Sequence, residues 1–396
     1  MRSPERRSKD KARKPIYMDK NLQIVFGITL MAIMGVTSIT PAFPKIVQEL
    51  KISPQEVGLL ISSFTGPMVL TTLVFGVLGD RFGRKRIIVP SLLLFGIAGG
   101  ACSFTRDFNL ILILRFFQGI GGASLFPLAM AILCDIYSGK ERTIAMGYNS
   151  SVINLGHTVF PALGGALAMF GWNYPFLLTT LAFPIGLLVL FSLKTPEPKS
   201  EQHFKEYLTS AFRCMKNIQV IGLFTVSAFL FIVTFGAYLT YFPLLLGNSF
   251  DASPLTIGLI MLIMYLSASI TSSQLGKLVK LTSEKNLIKI AFTLFAPALV
   301  FIPYAPNIWV IILPVILLGI AWGISIPGVY AILAELAPMK YRAAFISMDE
   351  MSVRFGQTLG PLLMALVFTA WGISGVFYAA AGFSLVMFAL AIIMIK

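Results

Sequence analysis

The sequence predicts an all-α membrane protein with twelve transmembrane helices in two six-helix halves. Three observations predict it: a shortage of charge, charge-free runs of bilayer length, and a repeat at one fixed offset. Hydrophobic residues fill 57% of 396 positions and charged residues only 12%. A water-facing surface usually needs roughly 25% charged residues, so most of this surface faces something other than water.

A helix crosses about 30 Å of hydrocarbon with roughly 20 apolar residues. Leu22–Pro44, Val57–Gly79 and Ile87–Thr105 are predicted as spans 1 to 3, and Phe108–Cys134, interrupted only by Arg115, as span 4. The run 143–193 is too long for one helix, and Gly171-Trp172-Asn173-Tyr174-Pro175 divides it into spans 5 and 6. Asn217–Phe250 and Ala252–Gly276 follow as spans 7 and 8. Ile290–Ala334 divides at Pro303-Tyr304-Ala305-Pro306-Asn307 into spans 9 and 10, and Ala343–Lys396 divides near Trp371-Gly372 into spans 11 and 12.

Basic residues set the expected orientation. With the N-terminus inside, 26 of the 31 lysines and arginines fall in cytoplasmic segments and only Lys45, Lys51 and Arg106 outside. Positive loops stay inside, so both termini are expected in the cytoplasm of a cell (inner) membrane protein. The net charge of +14 is then a topology signal, and a nucleic-acid partner is not expected. Residues 1–20 read as a cytoplasmic basic tail near anionic lipid; the apolar run after it is too long for a cleavable signal core. Three cysteines (Cys102, Cys134, Cys214) imply no disulfide framework. His157 and His203 are too far apart for an expected metal site, and no cofactor is implied.

Shifting the chain by 200 positions aligns it with itself without a gap. Ser53-Pro54 meets Ser253-Pro254, Gly119-Ile120 meets Gly319-Ile320, and Ala131-Ile132-Leu133 meets Ala331-Ile332-Leu333. Asp135 meets Glu335, Arg142 meets Arg342, and Gly156, Thr158 and Pro161 meet Gly356, Thr358 and Pro361. Two parallel halves, 21–194 and 218–396, are expected around the charged cytoplasmic linker 195–217. Such halves suit rocking about a central site. The short loops leave no room for an extramembrane catalytic domain, and no Ser/His/Asp or His/Cys constellation points to an enzyme.

Three motifs carry chemistry. Between spans 2 and 3 stands Gly76-Val77-Leu78-Gly79-Asp80-Arg81-Phe82-Gly83-Arg84-Lys85. Gly79 and Gly83 permit close approach and a tight turn, and Arg84 and Lys85 can reach acids at neighbouring helix ends such as Asp135. Span 4 contains Arg115-Phe116-Phe117-Gln118-Gly119, and span 5 contains Gly156-His157-Thr158-Val159-Phe160-Pro161-Ala162-Leu163-Gly164-Gly165. Gly360-Pro361 repeats part of the latter in span 11. Together these resemble signatures of the major facilitator superfamily and, within it, the twelve-helix drug:proton antiporters. Phe160 departs from the antiporter pattern, where glycine is usual. The resemblance implies the major facilitator fold, with Gly79, Asp80, Arg81, Gly83, Arg84, Asp135 and Glu335 as a conformational lock. It also implies Gly156, Pro161, Gly164, Gly165, Gly360 and Pro361 as a close-packed, kinkable antiporter motif.

An arginine inside a span is costly and functional by default. Arg115 either serves coupling or gating, or snorkels to the nearer surface. His157 reads as a packed helix residue ahead of a proton carrier. Span 11 holds Asp349-Glu350-Met351-Ser352-Val353-Arg354. Glu350 and Arg354, four apart, share a face and can pair; Asp349 points about 100° away and needs another partner or a proton. A carboxyl in a low-dielectric setting resists ionisation. Asp349 and Glu350, with Arg115 and Arg354, are therefore the expected proton-coupling group; the alternative is an interdomain latch to Arg81 or Arg84.

In the superfamily, spans 1, 4, 7 and 10 line a central cavity. The resemblance nominates Met31, Met34, Thr37, Phe117, Phe229, Phe235, Tyr238, Tyr241, Trp322 and Tyr330 as lining; aromatic and methionine walls suit varied apolar ligands. The expected function is proton-coupled efflux of amphipathic or hydrophobic small molecules by alternating access. Export of sugars or amino acids and translocation of lipid are the alternatives. Partners are the small-molecule substrate, protons and membrane lipid, and a monomer is expected.

Overall fold

The computed structural model describes residues 16–195, 217–338 and 342–394. Residues 196–216 of the expected linker, with Cys214 and His203, and most of the basic tail lie outside them. The described residues are helical or in short turns. Ten spans run as α1 (Lys20–Leu50), α2 (Glu56–Phe82), α3 (Arg84–Phe104), α4 (Phe108–Ile136), α5 (Gly139–Phe170), α6 (Tyr174–Ser192), α7 (Ile218–Phe250), α8 (Pro254–Ser273), α9 (Lys285–Tyr304) and α10 (Ile312–Leu336). The last apolar stretch, Phe345–Met394, is broken at Gly372, whose φ of 66° no helix accommodates. It therefore contributes α11 (345–371) and α12 (373–394), which completes twelve spans of a multi-pass membrane protein.

Local chemistry explains the ends. Asp107, Asn217 and Ser253 cap α4, α7 and α8 by accepting first-turn backbone N–H groups. Gly83, at φ 97°, makes the turn from α2 into α3 that a side chain would strain. Asn173 ties the α5–α6 turn to the end of α3 by donating to the Ser103 carbonyl at 3.0 Å. Midway along α7 the backbone widens into a π-helix over Thr234–Tyr241, a device that re-aims side chains and recurs at functional sites.

Lipid is as apolar as leucine, so close packing has to hold such helices together. The contact between halves runs mainly through α2 against α11 and α5 against α8, with α1 also touching α7 and α8. The tight contacts cluster at the end bearing the α1–α2, α5–α6 and α7–α8 turns. There Gly165 lies against the Pro254 carbonyl, Gly258 against the Pro161 carbonyl, Gly58 against Pro361 and Gly247 against Pro44. Ser62 of α2 donates to the Thr358 carbonyl at 2.8 Å, and Thr40 reaches the Met261 sulfur. Toward the opposite end the halves diverge. Among the described residues, no neighbouring element comes within 4 Å of where a Cβ would stand on Gly76, Gly147 or Gly276, and Leu70, Leu73, Leu155 and Ile270 are exposed. Among the described residues, one end is sealed and the other is open.

Candidate functional site

An ionisable cluster sits on α11 where it faces α7 and α10. Helical spacing stacks Glu350, Arg354 and Thr358 on one stripe. Arg354 reaches Glu350 at 3.7 Å and donates to Gln357 Oε1 at 3.0 Å. From α10, Tyr330 donates its phenol to the other Glu350 oxygen at 3.0 Å. Asp349, one residue earlier, points away from this stripe and is 1% exposed. Ser227 of α7 lies against it, and its Oδ1 has no hydrogen-bond partner among the described residues. With both acids ionised, the trio Asp349, Glu350 and Arg354 carries one net negative charge. Glu350 has its counter-ion, so the surplus belongs to Asp349. A buried charge without a partner is expensive, and one proton removes it.

The interdomain-latch alternative predicts Asp349 or Glu350 against Arg81 or Arg84. Here Arg84 is bound within its own half, to Asp80 at 3.0 Å and to Asp135, while Arg81 lies over the Phe82 ring at 5.5 Å. Gly79 packs on Leu128 of α4, whose side-chain tip a Cβ at Gly79 would displace. Glu335 is exposed at the end of α10.

Arg115 does not snorkel. It is wholly buried and donates to the carbonyls of Leu60 at 2.9 Å and Gly35 at 2.7 Å, and to Gln118 Oε1 at 2.7 Å. Its guanidinium also stacks over Phe64 at 4.3 Å. It thereby ties α4 to α1 and α2. Close backbone approach makes this possible: Gly119 meets the Phe64 carbonyl, and Gly35 meets the Phe64 ring. The glycines of the span 5 and span 11 motif sit likewise at close contacts. Gly156 meets Leu30, Gly164 meets the Ser38 carbonyl, and Gly360 meets the Ile232 carbonyl. His157 stacks on Tyr265 of α8, with ring centroids 5.1 Å apart and planes 21° apart.

The lining candidates divide into groups. Trp322 and Tyr330 of α10 are half-buried, and Trp322 meets Phe231, which touches Phe235. Met31, Met34, Thr37, Tyr238 and Tyr241 are buried. Tyr238 stacks on Phe242 and Tyr241 on Phe368, and neither hydroxyl has a partner among the described residues. Phe117 instead stands on the exposed stripe of α4 with Ile113 and Phe116, and Phe229 packs on Phe383 of α12. The sequence reading passed over Thr65, Ser227 and the Thr29–Asn149 hydrogen bond of 3.0 Å between α1 and α5. The signal available for them was a polar residue inside an apolar run.

Comparisons with known proteins agree with this architecture. The family described as Major Facilitator Superfamily matches residues 25–249 and 224–396. "Multidrug resistance protein 2" of Bacillus subtilis is 26% identical over 352 residues, 87% of this chain and 88% of that protein. "Quinolone resistance protein NorA" of Staphylococcus aureus is 22% identical over 382 residues, 93% of this chain and 95% of that protein. Among solved structures, a mutant of the nucleoside transporter NupG superposes with a TM-score of 0.80 at 16% identity, over 96% of this chain and 100% of that one.

Proposed function

The chain belongs to the Major Facilitator Superfamily, and we propose that it is a proton-coupled exporter of amphipathic or hydrophobic small molecules. Its relatives named for multidrug and quinolone resistance support the substrate class. The observation that carries the coupling is Asp349, buried in α11 with an unpartnered oxygen beside the neutralised Glu350–Arg354 pair.

The basic loops orient the open end. With 26 of 31 lysines and arginines on the side of the termini, the positive-inside bias supports a cytoplasmic open end, which makes this conformation inward-facing under that reading. A substrate enters between the halves and meets the aromatic wall of Phe231, Phe235, Trp322 and Tyr330. The free hydroxyls of Tyr238 and Tyr241 offer it hydrogen bonds when the sealed end parts. Protonation at Asp349 and release of that proton bias the two states differently, which is what coupling requires. Asp80, Arg84 and Asp135 then serve as the lock of the cytoplasmic end. Arg115 holds α1, α2 and α4 as one rocking body, and two halves joined by the segment 195–217 move about the central site.

Uptake of a fluorescent amphipathic cation into everted vesicles from an efflux-deficient strain tests the reading. Uptake that collapses when the pH gradient is dissipated supports it. Uptake indifferent to that gradient removes the coupling, and transport of polar metabolites or phospholipid alone removes the substrate class.

A further inference from the structure

Away from the α11 cluster, a cavity of about 680 Å³ opens between the start of α3 and the end of α6. That volume suits a small organic ligand. Lys85, Arg86 and Lys194 line it together with Val89, Leu190 and Leu193, and no carboxylate lines it. Arg84 also borders it, but its charge is committed to Asp80 and Asp135. Lys85 donates to the Leu193 carbonyl at 3.4 Å, which joins α3 to α6 across the cavity. Among the described residues, neither Arg86 nor Lys194 has an ion-pair partner.

Two more features select the ligand. Gly83 supplies no side-chain cap to α3, so first-turn N–H groups of that helix remain available to an anion. The cavity also lies where α2 ends, α3 begins and α6 ends, the depth at which hydrocarbon gives way to headgroups. Cations therefore stand at headgroup depth, with apolar side chains beside them at acyl depth. We infer that this cavity binds the phosphate headgroup of an anionic phospholipid from the adjoining leaflet, its acyl chains lying along Val89 and Leu190. Free phosphate shares the headgroup chemistry but gains nothing from the apolar wall. The site is separate from the coupling cluster and stands whether or not transport is proton-driven.

The test uses the full chain in neutral detergent, titrated with dioctanoyl phosphatidylglycerol, dioctanoyl phosphatidylcholine or inorganic phosphate, and followed by thermal shift and native mass spectrometry. Phosphatidylglycerol is expected to bind and stabilise, ahead of both other probes. The Arg86→Gln/Lys194→Gln variant is expected to lose roughly 25-fold in that affinity, about fivefold for each charge removed, whereas Lys194→Arg retains it. Should the double variant aggregate, Lys194→Gln alone reads the same effect at about fivefold. Equal binding of inorganic phosphate or phosphatidylcholine overturns the inference, as does an affinity for phosphatidylglycerol that the charge-removing variants leave unchanged.

Discussion

Thr358 of α11 donates its hydroxyl to Thr65 of α2 across 3.0 Å, and the same oxygen stands 2.9 Å from the carbonyl of Arg354 one turn earlier. A contact between the halves is thus one helical turn from the pair that neutralises Glu350. Any shift of Arg354 along α11 is felt at the seal, and parting of the seal is felt at Arg354. This is a short physical route from ionisation to conformation.

Thr358→Val keeps the shape and removes the hydrogen bond. A net bond of about 0.5–1.5 kcal/mol shifts the balance of sealed and parted outer ends roughly two- to tenfold. Spin labels at Leu73 and Ile346, both exposed toward the open end, are expected to report a larger fraction of short distances. An unchanged distance distribution removes the Thr65–Thr358 contact from the gate.

Gly165→Ala and Gly258→Ala each place a methyl against a backbone carbonyl of the other half, Pro254 and Pro161 respectively. Backbone cannot rotate away as a side chain can, so the seal must part. Overpacking of this kind costs about 1–3 kcal/mol. Cysteine labelling at the sealed end should rise and transport should fall, whereas Gly76→Ala, with open space around it, leaves both unchanged.

Arg115→Lys retains charge but loses the planar fork that serves the Gly35 and Leu60 carbonyls together. Losing one charge-assisted bond costs roughly 1.5–3 kcal/mol. The thermal midpoint of the purified protein should drop by several degrees; a midpoint equal to wild type contradicts the bracing role.

His157 tests packing against proton carriage. If its stack on Tyr265 is its contribution, His157→Phe transports like wild type, and His157→Ala loses an aromatic pair worth about 0.5–1.5 kcal/mol. Loss of gradient-driven uptake in His157→Phe, with the protein still folded, makes the imidazole a proton carrier instead.

The architecture was legible because bilayer thickness writes itself into the chain as run lengths, and the halves as a fixed offset. The break at Gly372 was foreseen from Trp371-Gly372, and the Glu350–Arg354 pair from its spacing of four. Contacts between distant segments were not legible. Arg115 finds carbonyls 55 and 80 positions away, and backbone acceptors leave no trace in side-chain identity. Tyr330 reaches Glu350 only because α10 packs beside α11. In a span that is apolar all round, composition does not mark which stripe faces the centre.

Asp349→Asn combined with Glu350→Gln, in everted vesicles, tests the central claim most directly. The account predicts that uphill, uncoupler-sensitive uptake is abolished while energy-independent exchange of labelled for unlabelled substrate persists. Uphill uptake that survives in this variant, still sensitive to the uncoupler, would contradict it.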